Sequence, residues 1–153
     1  MKKGIIGVSG EYFVAAELSQ REIVACLTLK NTPNVDILAT NLDNGKFANI
    51  QVKTMSFDNK TGWRLSIKDE VISNIKNHFY IMCNLTDLDT KPEYYIIPQK
   101  DLAKFLYNDH REWLAGSEKR NDTTMRLFDP HKREKSKKFG EKYLSNWDVL
   151  DLW

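Results

Sequence analysis

The stretch that most constrains the fold is residues 35–54, with the sequence VDILATNLDNGKFANIQVKT. It contains two apolar segments separated by Asn44-Gly45, a pair that favours a type I′ turn because both residues tolerate a positive φ. We therefore predict a β-hairpin whose loop consists of these two residues. In that register Asp36, at the start of the first strand, lies opposite Lys53 on the second.

Three polar side chains share one face at the end of this hairpin. Side chains alternate between the two faces of a strand, so Gln51 and Lys53 lie on the same face, and the predicted register adds Asp36. An ionised carboxylate is costly beside the apolar residues 37–39 unless a function requires it there. Two interpretations remain open. The three groups form a functional site, or Asp36 and Lys53 form a cross-strand ion pair on a solvated face.

A first helix is predicted over residues 5–21, because apolar residues such as Val14 and Leu18 recur at helical spacing. Glu11 lies one turn before this apolar face. It is either a first-turn acid favoured by the helix dipole, or a third oxygen donor for the site that Asp36 opens.

The remaining elements alternate strands with short helices. Strands are predicted at 22–30, 63–67, 79–85, 94–97 and 125–128, and helices at 68–76, 99–108 and within 141–153. Most of residues 109–138 is predicted as loop or irregular helix. The order predicts an α/β or α+β domain with a mixed sheet. The 153 residues are expected to form one domain, with a core over about 5–108 and a C-terminal extension over 109–153.

The composition is that of a globular protein, with 41% hydrophobic and 29% charged residues. Cys26 and Cys83 each lie in an apolar run and are predicted to be buried thiols in a reducing compartment. Neither the cysteines nor the histidines have the spacing of a zinc site. The N-terminal apolar segment is too short for a signal peptide, and no apolar run reaches the length of a membrane span. We therefore expect a cytoplasmic protein with no membrane contact.

Three separated motifs resemble the PD-(D/E)XK nuclease superfamily, especially its Holliday-junction-resolvase-like and restriction-endonuclease-like members. The motifs are Gly10-Glu11, Val35-Asp36-Ile37-Leu38-Ala39 and Ile50-Gln51-Val52-Lys53-Thr54. They cover about the first third of the chain, and their order on helix, strand and hairpin agrees with the αβββαβ core of that superfamily. The resemblance implies a restriction-endonuclease-like fold, with a mixed sheet flanked by helices.

The same resemblance implies a role for each motif residue. Asp36 matches the metal-binding acid, Lys53 the motif lysine, and Glu11 the acid that many members carry on the first helix. Gln51 departs from the usual carboxylate and resembles the branches that carry Gln-x-Lys. Its carbonyl oxygen still suits a hard cation, with one negative charge fewer. The backbone carbonyl of Val52 completes such sites in relatives, and the implied cofactor is Mg²⁺ or Mn²⁺.

The implied activity is hydrolysis of nucleic-acid phosphodiester bonds, with DNA as the expected substrate and a homodimer as the expected assembly. Residues 118–142 contain nine Lys or Arg against five acids, which is compatible with phosphate contacts or with a solvated loop. The candidate nucleic-acid-binding residues are Arg64, Lys68, Lys132, Arg133 and Lys135. The alternative function is a nuclease-like domain that binds nucleic acid or a protein partner without cutting, with Gln51 as the sign of a decayed site.

Overall fold

The computed structural model describes residues 3–29 and 32–153. Within these ranges the helices are α1 (Lys3–Ser19), α2 (Gln99–Ala115) and α3 (Glu134–Gly140). The strands are β1 (Val24–Leu27), β2 (Ile37–Thr40), β3 (Phe47–Met55), β4 (Trp63–Ser66), β5 (His78–Asn84), β6 (Glu93–Pro98) and β7 (Met125–Phe128). Short 3-10 turns cover Ile67–Glu70, Glu141–Tyr143 and Trp147–Leu150.

Five of the strands form a mixed sheet in the order β1-β2-β3-β5-β6. Strands β3 and β5 are parallel, and the other neighbouring pairs are antiparallel. Strands β4 and β7 form a separate antiparallel ribbon. The predicted α+β class, a mixed sheet flanked by helices, is confirmed. The connection between β3 and β5 contains β4 and a 3-10 turn, and the long helix α2 follows β6.

Strand β3 lies at the centre of the sheet and is covered on both faces. Ile50 and Val52 are buried in an apolar cluster that includes Val14 of α1. Met55, from the alternate set of positions, is buried in a second cluster that includes Trp63. Side chains of one strand therefore reach both layers of the core, as strand alternation requires. A strand held in this way fixes the positions of the polar side chains that it also carries.

The hairpin of β2 and β3 forms, but the predicted two-residue turn and its register are wrong. Ile37 lies opposite Ile50, a shift of two residues from the predicted pairing. The loop spans residues 41–46 and is closed by the Asn41 N–H, which donates to Lys46 O at 2.9 Å. Asn44 Oδ1 accepts from the Lys46 N–H at 2.9 Å, a local bond that favours this wider loop. A shift of two residues leaves every side chain on its predicted face.

The predicted helix over residues 68–76 is also wrong, because only the 3-10 turn Ile67–Glu70 forms there. Ser66 Oγ accepts from the Lys68 N–H, and Asp69 Oδ2 accepts from the Ser66 N–H at 2.7 Å. These two bonds form a capping box around a single turn. Val71 is extended directly after it, so the helix does not propagate.

Helix α2 continues well beyond its predicted end at residue 108. Asp109 and His110 are buried on this extension, because their polar groups are paired. The carboxylate of Asp109 binds Arg133 at 2.7 Å, and His110 Nε2 lies 2.7 Å from Asp122 Oδ1. The spacing of apolar residues does not predict a helix face that is buried through paired polar groups.

The C-terminal residues dock on the sheet, as predicted, but not as the predicted helix over 141–153. Trp147, Leu150 and Leu152 are buried in the cluster next to α1, within segments that form only short 3-10 turns or irregular backbone. Residues 131–138, predicted as loop or irregular helix, contain most of α3.

The two cysteines differ in exposure. Cys83, on the interior strand β5, is buried as predicted, whereas the prediction for Cys26 is wrong because it is exposed on the edge strand β1. No helix in the described ranges is long and apolar enough to cross a membrane.

Candidate functional site

Asp36 lies directly before β2, and the backbone of β3 fixes its carboxylate. Its Oδ2 atom accepts a hydrogen bond of 2.7 Å from the Val52 N–H. The Asn49 N–H points the other way and donates to Asn77 O at the start of β5. Backbone groups alternate in direction along a strand, so Val52 directs both its N–H and its carbonyl to the side of Asp36.

Helix α1 brings Glu11 to the same place through a close contact with β3. A Cβ atom added at Gly10 would lie 1.9 Å from Thr54 Oγ1, so only glycine permits this approach. Thr54 Oγ1 also donates to Gly7 O at 3.3 Å. The neighbouring Glu11 is half-buried. Burial and the negative charge of Asp36 both raise the pKa of Glu11, which places the two carboxylates within electrostatic reach.

Burial and the neighbouring groups act in opposite directions on the pKa of Asp36. Burial raises the pKa of Asp36, although the hydrogen bond from the Val52 N–H and the charge of Lys53 both act to lower it. Two partly desolvated carboxylates within electrostatic reach of each other are unfavourable when both are ionised. A bound cation relieves that cost, so the pair with Glu11 has the electrostatic character of a cation site.

Gln51 follows Ile50 on β3, and the Ile50 carbonyl accepts a hydrogen bond of 2.8 Å from the Asp36 N–H. The Gln51 Oε1 atom is buried and has no hydrogen-bond partner among the described residues. A buried acceptor without a donor costs about 1–3 kcal/mol, and such atoms are rare in folded proteins. An ion at this point would satisfy the orphaned oxygen.

The donor set fits a hard divalent cation. Carboxylates, an amide oxygen and a backbone carbonyl are the ligands that Mg²⁺ and Mn²⁺ accept. Among the described residues, no group of three His, Cys, Asp or Glu side chains could hold a metal. A cation at Asp36 and Glu11 therefore depends on the neutral oxygens of Gln51 and Val52.

Lys53 shares its face of β3 with Gln51, but its ammonium does not form the predicted ion pair with Asp36. Asp36 lies outside the paired residues of β2, and its N–H donates to Ile50 O at 2.8 Å. Lys53 Nζ instead lies 3.8 Å from Asp69 Oδ1. The interpretation of a purely structural cross-strand ion pair is therefore wrong. The charge of Lys53 still acts to lower the pKa of Asp36, so the two groups lie within electrostatic reach of each other.

Asp69 and Tyr80 are members of this site that the sequence analysis missed. Tyr80 Oη donates to Asp69 Oδ1 at 2.8 Å, and the ring of Tyr80 lies 5.8 Å from Lys53 Nζ. The spacing of Ser66 and Asp69 is that of a capping box, which was the available signal for an ordered carboxylate. No local pattern indicates that this turn lies against Lys53.

The predicted nucleic-acid-binding residues fall into two groups. Arg64 and Lys68 are exposed, and Arg64 lines a cleft of about 290 Å³ together with Lys53. The side chains of the other three form ion pairs or hydrogen bonds with residues of the same chain. Arg133 binds Asp109 through two hydrogen bonds, Lys135 binds Glu112, and the Lys132 ammonium donates to Lys60 O.

No protein-family model and no curated protein sequence matches this chain. The sheet and its covering helices match a nuclease-like fold. The solved structure of a bacterial homing endonuclease, I-Ssp6803I, superimposes with a TM-score of 0.59 and 11% sequence identity. The superposition covers 98% of this chain and 93% of that chain. At this identity the likeness shows the fold, and the chemistry has to be argued from the site.

Proposed function

We propose that this chain is a divalent-metal-dependent nuclease that hydrolyses phosphodiester bonds in DNA, with a PD-(D/E)XK site of the Gln-x-Lys form. The observation that carries the proposal is the buried Oε1 of Gln51, which has no hydrogen-bond partner among the described residues. It lies on the strand whose Val52 N–H holds the partly desolvated carboxylate of Asp36. An acceptor without a donor, on a strand that also holds a carboxylate with a raised pKa, is the arrangement that a cation stabilises.

Asp36, Glu11, the Gln51 amide oxygen and the Val52 carbonyl would hold the ion, Mg²⁺ or Mn²⁺. When bound, such an ion polarises a phosphoryl oxygen and lowers the pKa of a coordinated water. Gln51 contributes no charge, so the two carboxylates supply all the negative charge of the site.

Lys53 supplies the cationic hydrogen-bond donor of the site. In the reaction a water oxygen bonds to phosphorus and the water releases a proton to solvent, while one phosphorus–oxygen ester bond breaks and the departing oxygen takes up a proton from solvent. The ammonium of Lys53 orients the attacking water or stabilises the negative charge that develops on the phosphate oxygens. Because the ammonium lies on the face that carries Gln51, the donor and the ligand set point to the same substrate group.

Arg64 and Lys68 are the proposed phosphate contacts outside the reacting centre. Both are exposed, and neither forms an ion pair within 4.0 Å among the described residues. Contacts of this kind make binding strongly dependent on salt. A homodimer, expected from the resemblance, would supply the second site needed to cut both strands of a duplex.

The test is cleavage of supercoiled plasmid in Mg²⁺ or Mn²⁺, with EDTA as the metal-free control. The wild-type protein is expected to nick or linearise the plasmid. Asp36→Asn and Lys53→Met are each expected to lower the rate roughly 100-fold or more, because each removes a group of the reacting centre. Lys119→Met, at an exposed residue outside the site, is the matched control and should keep the wild-type rate.

Two results separate the proposal from its alternative. A folded wild-type protein that binds plasmid but never cuts it supports the non-cleaving nuclease-like domain. A folded protein that neither cuts DNA nor responds to divalent metal contradicts both the activity and the metal site.

A further inference from the structure

We infer that Asp69 is a positioning residue for Lys53: its carboxylate holds the ammonium in the orientation that the phosphodiester requires. The inference rests on the proposed function, since that function gives Lys53 its role. Asp69 belongs to none of the motifs of the resemblance, and it reaches the site from the turn between β4 and β5.

The carboxylate of Asp69 is the anion closest to Lys53 among the described ion pairs. Lys53 Nζ lies 3.8 Å from Asp69 Oδ1. Asp69 is buried, with 9% of its surface exposed, whereas the Lys53 side chain remains 31% exposed. One end of the pair is therefore anchored inside the protein, and the other reaches toward the open cleft that Arg64 also lines.

Three donors fix the carboxylate of Asp69 before any substrate is present. The Ser66 N–H donates to Oδ2 at 2.7 Å, and Ser66 Oγ donates to the same atom at 3.0 Å. Tyr80 Oη donates to Oδ1 at 2.8 Å. A carboxylate held from three directions cannot follow a mobile ammonium, so it is the ammonium of Lys53 that is held in place.

The charge state of this network agrees with the inference. Burial acts to raise the pKa of Asp69, but the Ser66 N–H, the charge of Lys53 and the hydroxyls of Tyr80 and Ser66 outweigh it, and the pKa of Asp69 is lowered. The carboxylate is therefore ionised in neutral solution. Burial and the charge of Asp69 raise the pKa of Tyr80, which keeps its hydroxyl protonated and able to donate.

Tyr80, on strand β5, connects the hydrogen-bond network of Asp69 to the sheet. It lies opposite Gln51 in the parallel register of β3 and β5, on the face that also carries Lys53. Its ring lies 5.8 Å from Lys53 Nζ, within the range in which an aromatic face attracts a cation. Lys53 is thus bounded by a fixed anion and an aromatic ring, both supplied by elements outside the motif.

A purely structural role for Asp69 predicts a different set of effects. Asp69 also closes the capping box of the turn Ile67–Glu70, so its removal weakens that turn. Asp69→Asn keeps the size of the side chain and one acceptor but removes the charge. Ser66→Ala weakens the same cap and keeps the charge of Asp69. Its Oδ2 atom still accepts from the Ser66 N–H, and Oδ1, the atom nearest Lys53, keeps its bond from Tyr80, which makes this variant the matched control.

The experiment measures single-turnover plasmid cleavage in Mg²⁺, together with DNA affinity in Ca²⁺, for the wild type, Lys53→Met, Asp69→Asn and Ser66→Ala. Asp69→Asn is expected to cut about 10- to 100-fold more slowly, the range expected for loss of a charge-assisted contact. Its affinity for DNA should change less than about twofold, because Asp69 does not touch substrate. Ser66→Ala should stay within about threefold of wild type in both measurements.

The outcomes separate this inference from the proposed function. A wild-type protein without cleavage overturns the proposed function itself. Cleavage that is lost in Lys53→Met but is as fast in Asp69→Asn as in Ser66→Ala overturns only the inference. If Asp69→Asn does not fold, Tyr80→Phe is the deciding variant, because it removes the donor to Oδ1, the carboxylate oxygen nearest Lys53, and no charge. It should slow cleavage about 3- to 10-fold at unchanged affinity, and an unchanged rate overturns the inference.

Discussion

The carboxylate of Asp36 accepts a hydrogen bond of 2.7 Å from the N–H of Val52, the residue between Gln51 and Lys53. An acid that lies outside the strand is thereby locked to the strand that carries the other polar groups of the site. Asp36 and Glu11 are both half-buried, and burial raises the pKa of both acids. The site therefore has a stability cost in the absence of a cation, and that cost is measurable.

Replacing Asp36 with asparagine is expected to stabilise the metal-free protein at pH 7. Because the pKa of Asp36 is raised in the folded state, its favourable contribution is complete below the unfolded value of about 3.9. That contribution is lost as the pH rises through the folded pKa. Asparagine removes the buried charge and still accepts the Val52 N–H. Thermal unfolding in EDTA should give Asp36→Asn the higher melting temperature at pH 7 and no advantage near pH 3. If Asp36→Asn has the lower melting temperature at pH 7, the ionised carboxylate of Asp36 does not destabilise the metal-free protein.

Divalent metal is expected to stabilise the wild-type protein and not Asp36→Asn. A ligand present at 100 times its Kd stabilises the folded state by about 2.7 kcal/mol. Gln51→Glu should bind Mn²⁺ roughly tenfold more tightly, since it adds one negative charge to the ligand set. Calorimetric titration with Mn²⁺ measures both effects. Gln20→Glu, at an exposed position of the chain, controls for a general charge effect, and an equal gain there would argue against a site at Gln51.

Gly10→Ala is expected to weaken both folding and cleavage. The new Cβ atom would lie 1.9 Å from Thr54 Oγ1, so α1 must move away from β3 and carry Glu11 with it. Overpacking of this kind costs about 1–3 kcal/mol, measured by denaturant unfolding. Gly4→Ala, where the added atom has nothing within 4 Å, should instead stabilise the same helix by about 0.5–1 kcal/mol. Combining Gly10→Ala with Thr54→Ala should restore part of the loss, and no recovery would place the strain elsewhere.

His78 is expected to make stability fall in mild acid. Burial lowers the pKa of His78, although the contact of its Nε2 with Asn34 O at 2.9 Å acts to raise it. The unfolded chain therefore binds the proton more tightly, and stability is complete above the unfolded pKa of about 6.5. It is lost as the pH falls through the folded value. Unfolding free energies measured from pH 8 to 5 should show this slope in wild type and not in His78→Gln. The exposed His131 gives the control: His131→Gln should keep the slope.

The shared face of Gln51 and Lys53 was predictable because it depends only on strand parity. A register shift of two residues leaves both side chains on that face, whereas Asp36 lies outside the paired residues of β2. The register itself was not predictable from the hairpin alone. The side chains of Asn41 and Asn44 both donate to Leu152 O, at 2.9 and 3.1 Å, a contact with the far end of the chain.

The partner of Lys53 was not predictable for a similar reason. Periodicity assigned residues 68–76 to a helix, whereas the capping box of Ser66 and Asp69 closes a single turn. Only the packing of that turn against β5 brings Asp69 to Tyr80 and Lys53. Local patterns establish which residues share an element and a face. Contacts between elements distant in sequence determine which charged side chains form ion pairs.

Anomalous diffraction from a crystal soaked in Mn²⁺ tests the proposed metal site. We expect a peak within coordination distance of Asp36 and of the Gln51 amide oxygen, with Glu11 and the Val52 carbonyl beside it. The same soak of Asp36→Asn crystals should show no peak there. A well-ordered wild-type site without Mn²⁺, with Gln51 Oε1 bonded to water or to a protein donor instead, would contradict the central claim.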